Sequence, residues 1–204
     1  MPIWTFARHG QSVANLEGWL AGHVDAPLTE QGRMEAIDAR GNLGDPLPAR
    51  AFCSDLARAH DTARLLLADV EVPLVVVPAL RERTCGALER RSIADVQANP
   101  DTRARLASWT GRPPEGESLL DVALRAVGWI TTVDDVEVDT VVVAHGALIA
   151  AVLAALDRRP RAEAWQWRPH NCEVIHRPVA VGAWNQVLDD LRSEAAADDE
   201  LHER

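Results

Sequence analysis

Two runs far apart in the chain end in the same way. Ile3-Trp4-Thr5-Phe6-Ala7 leads into Arg8-His9-Gly10, and Thr140-Val141-Val142-Val143-Ala144 leads into His145-Gly146. The second run is nearly continuous in apolar residues. A strand over 138–144 with both faces buried is what a parallel sheet covered by helices requires. In such a sheet the strands carry their last residues to one edge, where loops meet solvent and ligand. Two strand ends that each carry His-Gly can bring two imidazoles to one pocket. Histidine trades protons near neutral pH, arginine offers a fork that matches phosphate or carboxylate, and glycine lets backbone and ligand come close. A lone histidine after a strand is more often a structural hydrogen-bonding residue. The matched pair His9 and His145 favours function.

The rest of the chain alternates in the same sense. Thr29 is placed to cap a helix over 30–40. A short strand over 51–53 leads into a capped helix over 54–68, and a β-branched strand follows over 73–77. The stretch 92–109 has a helical pattern broken at Pro100, and 117–132 reads as an amphipathic helix. An apolar helix over 146–156 follows the second His-Gly. Two antiparallel strands are predicted over 173–176 and 179–184. The acidic, alanine-rich tail from Leu188 is expected to be a frayed helix or disordered. Strands alternating with helices indicate one α/β domain with a mostly parallel sheet over residues 1–190, with 191–204 as its tail. The segment 82–116 is the expected cap over a site.

Composition narrows the chemistry. The net charge of -10 argues against nucleic-acid binding. It leaves room for a small anionic substrate held by a local arginine cluster. All 21 basic residues are arginine, and tyrosine is absent. This excludes a lysine Schiff base, a P-loop lysine and a tyrosine nucleophile. Cys53, Cys85 and Cys172 show neither zinc spacing nor a disulfide framework, so a reduced, cytoplasmic setting is expected. No signal-peptide pattern and no membrane-spanning apolar run are seen, and no membrane partner is expected. Trp165 and Trp167 alternate at strand spacing and suit core packing or a homodimer surface. Trp19 has a better claim to substrate contact.

Arg58 falls in the first turns of a helix that follows a strand, where backbone amides and the helix dipole also favour an anion. Glu82, taken alone, reads as a solvated loop residue. Together the set is coherent. Arg8, Arg58 and a helix N-terminus would bind a phosphoryl group and neutralise its oxygens. One imidazole would attack phosphorus in line. A carboxylic acid would protonate the departing alkoxide and then activate water. No metal or other cofactor is required. A metal site using His23, Asp25, His60, Asp61, His170 and His176 matches no ligand spacing.

The ordered set Arg8-His9-Gly10, Pro27-Leu28-Thr29 with Gly32, Ser54-Asp55-Leu56 with Arg58 and Thr62-Ala63, Leu80-Arg81-Glu82 with Gly86, Gly116-Glu117-Ser118 and Ala144-His145-Gly146 resembles the histidine phosphatase superfamily, in its phosphoglycerate mutase-like branch. The resemblance implies a three-layer αβα sandwich. It implies His9 as the phosphorylated nucleophile, Arg8, Arg58 and His145 as the phosphate pocket, and Glu82 as general acid and base. It places Ser12, Asn15 and the backbone of Gly22 near the substrate phosphate, with Gly146 beside them. Arg83 and Arg112 are candidates to reach in from the cap; contact from either would mean a second anionic group on the substrate. The chain departs from mutases in lacking the tyrosine and lysine that follow the acid, with Cys85 at the tyrosine position. It also has Ala147 where mutases carry asparagine, and Gly86-Ala87-Leu88-Glu89-Arg90 lacks the usual Trp-Glu-Gly. These departures favour a phosphomonoesterase acting on a small phosphorylated metabolite. A phosphoglycerate mutase is the alternative, and a non-catalytic phospholigand-binding module the third reading.

Overall fold

The computed structural model describes residues 1–202. Its centre is a five-stranded sheet of β1 (Ile3–Arg8), β2 (Arg50–Cys53), β3 (Leu74–Val76), β4 (Thr140–Ala144) and β5 (Val174–Pro178), in the order β3-β2-β4-β1-β5. The first four run parallel, and β5 pairs antiparallel with β1 at the edge. The helices are α1 (Val13–Glu17), α2 (Glu30–Asp38), α3 (Ala57–Leu66), α4 (Ile93–Ala98), α5 (Pro100–Ala107), α6 (Leu119–Ile130), α7 (Gly146–Leu156) and α8 (Ala183–His202).

The layers follow from the side-chain period of two. Val142 and Ala144 of β4 point into one core with Trp4, Phe6 and Phe52 from the neighbouring strands, under α6, α7 and α8. Val141 and Val143 point the other way, with Ala7, Ala51 and Cys53, onto Ala36 of α2 and Ala63 and Leu66 of α3. Every β4 side chain is buried, as the expected both-faces burial requires. The strand begins at Thr140, two residues later than expected. Asp139 is a connector instead: its carboxylate accepts from Ile3 N–H at 2.7 Å, and its carbonyl accepts from Ala49 N–H at 2.9 Å. The three-layer αβα sandwich is therefore present.

Local chemistry sets the ends of the elements. Thr29 caps α2 by accepting from Gly32 N–H. The break at Pro100 separates α4 from α5, with Asn99 capping the second. Ser118 and Asp121 close a capping box at the start of α6. The unpredicted helix α1 is short and is held by another capping box, Ser12 with Asn15. The cap is the segment 82–116, which carries α4 and α5.

The C-terminal region differs from expectation. Residues 179–184 form no second antiparallel strand. The chain leaves β5 at Pro178, turns through Gly182 at φ 82°, and enters α8. The segment expected to fray or be disordered continues that helix to His202. The physical reason is burial: Trp184, Val187, Leu188 and Leu191 fall at helical spacing and all enter the larger core. Trp184 stands edge-on to Trp4 at 5.5 Å and to Phe6 at 6.3 Å. Glu194 continues the attachment, accepting from Trp109 Nε1 at 2.9 Å and pairing with Arg161. Among the described residues no helix is long and apolar enough to cross a membrane, and the three cysteines are free. Leu191 is fully buried, so Leu191→Ala is expected to cost about 2–5 kcal/mol in denaturant unfolding; a disordered tail would show no loss.

Candidate active site

The carboxyl ends of β1 and β4 lie side by side. Arg8 is in register with Ala144, and His9 N–H donates to the Ala144 carbonyl at 3.0 Å. The next residues, His9 and His145, therefore meet, with ring centroids 5.1 Å apart. A cavity of about 270 Å³ opens over them. Of the residues expected at the site, Arg8, His9, Ser12, Asn15, Gly22, Arg58, Glu82, Arg83 and Gly146 all line it. His145 does not reach its wall. It is fully buried against His9, and neither ring nitrogen has a hydrogen-bond partner among the described residues.

His9 is oriented by its own loop. Its Nδ1 lies 2.7 Å from the Gly10 carbonyl. A carbonyl only accepts, so Nδ1 carries the proton and Nε2 presents a lone pair. Burial, and then the charges of Arg58 and Arg8, push the His9 pKa well below its ordinary value. Burial and Arg58 do the same to His145. Both imidazoles are neutral at pH 7. The loop can run this close to α2 because Gly10 and Gly32 face each other, and a Cβ on Gly10 would run into the Gly32 carbonyl.

Two guanidinium groups flank the histidines. Arg8 donates from Nη1 to the Pro169 carbonyl at 2.7 Å, while its buried Nε has no partner. Arg58 donates to the carbonyls of Val24 at 3.0 Å and Gly22 at 2.8 Å. Gly22 takes φ 50°, and a Cβ there would strike the Glu89 carboxylate that holds this loop through His23 N–H. The helix-dipole part of the expectation is corrected. The first amide of α3, Ala57 N–H, is taken by the Asp25 carboxylate at 2.9 Å. What that helix brings to the cavity is the Arg58 side chain.

Glu82 sits instead at the start of α7. Its carboxylate accepts from the backbone N–H groups of Arg83 at 2.8 Å, Leu148 at 3.1 Å and Ala147 at 3.1 Å. Oε1 takes two of these and Oε2 one, which leaves Oε2 with a free lone pair for a proton. Arg125, which the sequence did not single out, fixes this stretch by donating to the carbonyls of Ala79, Arg81 and Glu82. Its other partner is the Glu117 carboxylate at 2.9 Å.

Of the two cap arginines, only Arg83 reaches the cavity. Arg83 borders the cavity, but its guanidinium donates to the carbonyls of Glu117 at 2.7 Å, Leu106 at 2.8 Å and Gly111 at 2.8 Å. It is the bolt that closes the cap, not a free hand for substrate. Arg112 lies outside the cavity in a two-pronged pair with Asp121. Ser12 and Asn15 line the cavity, with Ser12 Oγ donating to Asn15 Oδ1 at 3.0 Å. His23, Asp25, His60, Asp61, His170 and His176 form no metal cluster: among the described residues no three His, Cys, Asp or Glu side chains are grouped to hold an ion.

The family model for the histidine phosphatase superfamily, branch 1, matches residues 4–188. The chain belongs to this superfamily. It is 38% identical over 200 residues to a 2,3-bisphosphoglycerate-dependent phosphoglycerate mutase of Gloeobacter violaceus, covering 92% of this chain and 91% of that one. It is 31% identical to the adenosylcobalamin/alpha-ribazole phosphatase of Salmonella typhimurium, covering 92% and 90%. Among solved structures, a mycobacterial glucosyl-3-phosphoglycerate phosphatase with VO3 superposes with a TM-score of 0.80 at 32% identity, covering 86% of this chain and 92% of that one.

This histidine phosphatase has site residues that sequence reasoning missed, all in one irregular stretch. Asn171 Nδ2 donates to the His9 carbonyl at 2.9 Å and to Asn15 Oδ1 at 3.3 Å. Trp165 packs against the larger core, as expected of it and Trp167, and also lines the cavity, with Arg168 over its ring at 4.3 Å. Tryptophans spaced for a strand gave a false signal because 161–173 contains only a 3₁₀ turn, Arg161–Glu163, and loop.

The neutral histidines have a measurable consequence. Their folded pKa values lie below the unfolded value, so as pH falls the native state takes up fewer protons than the unfolded state. Stability is fully present above about pH 6.5 and drains away below it, by about 1.4 kcal/mol per pH unit for each imidazole. Denaturant unfolding of the chain and of a His9→Gln/His145→Gln variant between pH 7 and 5 should show a shallower acid loss in the variant. Identical slopes would mean that the pair is protonated in the native state.

Proposed function

We propose that this chain is a metal-independent phosphomonoesterase that hydrolyses a small phosphorylated metabolite through a phosphohistidine. The observation that carries the reading is His9. It is a buried, neutral imidazole whose Nδ1–H is anchored on Gly10, and Arg8 and Arg58, whose charges act on it, line the same cavity.

The steps follow from those groups. The Arg8 and Arg58 guanidiniums neutralise the phosphoryl oxygens as the ester enters. The Nε2 lone pair of His9 attacks phosphorus, and the P–O bond to the leaving group breaks. Protonated Glu82 gives its Oε2 proton to the departing alkoxide. The alcohol leaves, and Glu82, now a carboxylate, takes a proton from water. The resulting hydroxide attacks phosphorus, the P–N bond breaks, and inorganic phosphate departs from a regenerated His9. Neutral His145, packed against His9, carries one N–H without a protein partner among the described residues, and this is the donor assigned to the phosphoryl group. The phosphatase names of the Salmonella and mycobacterial relatives support hydrolysis. The mutase name of the Gloeobacter relative supports a second reading, in which the phosphoryl group returns to substrate.

Incubation with labelled substrate and an alkaline quench should trap a base-stable, acid-labile phosphoprotein that His9→Ala cannot form. Activity should survive excess chelator. Glu82→Gln should slow release on the order of 10²- to 10⁴-fold for sugar or glycerol phosphates. An aryl phosphate, whose leaving group needs no proton, should suffer far less. Equal losses on both classes would rule out Glu82 as the acid, and isomerisation of 3-phosphoglycerate faster than phosphate release would establish the mutase.

A further inference from the structure

The cavity holds one charge that phosphoryl chemistry leaves unused. Arg168 lines it from the irregular stretch before β5. Its Nη1 and Nη2 are both shielded from solvent and have no hydrogen-bond partner among the described residues. The other lining arginines are occupied differently. Arg83 spends its fork on three carbonyls. Arg58 shares two N–H groups with the 22–24 loop. Arg8 anchors on Pro169. A guanidinium with both terminal nitrogens buried and empty is costly unless an anion meets it.

Position and shape narrow what that anion is. Gly146 lies next to both Arg8 and Arg168: a Cβ on it would come 3.4 Å from Arg8 Nε and 3.5 Å from Arg168 Cδ. Arg168 therefore borders the phosphoryl site without belonging to the His9 cradle. Stacking on Trp165 at 4.3 Å covers one face of the guanidinium and leaves its edge as the reactive side. Two adjacent terminal N–H groups in one plane match the two oxygens of a carboxylate. The charge count agrees. Arg8 and Arg58 balance a phosphomonoester dianion, which leaves the charges of Arg83 and Arg168 over, and of these two only Arg168 keeps both terminal nitrogens unpartnered. Glu82 is the carboxylate whose field reaches Arg168. It is already held by three backbone N–H groups and cycles through a neutral form in the reaction. Burial brings the Arg168 pKa down to about 10, still a cation at pH 7.

We propose that Arg168 is a specificity residue that pairs with a carboxylate on the body of the substrate, so that the phosphomonoesters this site prefers are phosphorylated carboxylic acids. This rests on the phosphomonoesterase reading for turnover, but not for binding. Trp165 supports the guanidinium from one face.

The test compares 3-phosphoglycerate with glycerol 3-phosphate, which differ only in a carboxylate against a hydroxymethyl group. The readout is the ratio of their kcat/KM values in the unaltered chain, Arg168→Leu and Arg168→Lys. The unaltered chain should favour 3-phosphoglycerate at least ten-fold. Arg168→Leu should bring the ratio to within about two-fold of one. Arg168→Lys keeps the charge without the fork and should fall between. Calorimetric Kd values for the same two compounds, taken in a His9→Ala background with and without Arg168→Leu, read the preference without turnover. Selective binding with no phosphate release from either compound would overturn the hydrolase reading and leave the Arg168 assignment standing. Phosphate release with a ratio that Arg168→Leu and Arg168→Lys leave unchanged would overturn the Arg168 assignment alone. Equal loss on both compounds would make Arg168 a third phosphoryl ligand and also overturn it.

Discussion

The parallel pairing of β1 with β4 is the constraint on which the site depends. Its register sets Arg8 against Ala144, and the residues that follow, His9 and His145, have nowhere to go but toward each other. That register is locked by size. Trp4 and Phe6 fill the thick core under α6, α7 and α8, while Ala7 meets the thin one under α2 and α3. A slip by one residue would send two large rings into a layer that holds no aromatic side chain among the described residues. The packing of the two cores thus holds two imidazoles 5.1 Å apart with no direct bond between them.

The second organising fact is how the protein keeps positive charge in a cavity while carrying a net charge of -10. It solvates the arginines with backbone carbonyls more than with carboxylates. Val24 and Gly22 serve Arg58, Pro169 serves Arg8, and Leu106, Gly111 and Glu117 serve Arg83. A carbonyl holds a guanidinium in place without cancelling its charge, so the field remains available to an incoming anion. The same field, together with burial, keeps His9 and His145 neutral. Glu82, the one lining carboxylate among the described residues, is held on the amides at the start of α7 and forms no ion pair with the arginines there.

The parts of this arrangement that were legible in the sequence share a trait: each is a local signal. The β4 run shows its burial in its own composition, Thr29 and Pro100 mark helix starts by their own chemistry, and Arg8-His9-Gly10 ends a strand. Signals spread over helical spacing were harder to see. Trp184, Val187, Leu188 and Leu191 carried the evidence for α8, but the acidic residues among them and the acidic, alanine-rich stretch after them resembled a solvated tail. Arg168 had no signal of either kind, and the strand spacing of Trp165 and Trp167 was a false one. Trp165 and Arg168 lie in loop, where no period exists, and they are brought to the cavity by the way α7, β5 and the loop between them close over β1.

The sequence by itself determined the strand ends, the alternation of strands and helices, and the set of ionisable groups at the heart of the site, because each depends on residues within a turn or a strand of one another. Only the tertiary structure decided what those groups are free to do. Arg83 and Arg168 are the same residue type, both beside the cavity, yet one closes the cap on three carbonyls and the other keeps both terminal nitrogens empty. The difference lies in which backbone carbonyls come within reach, and that is set by long-range packing that no local pattern encodes.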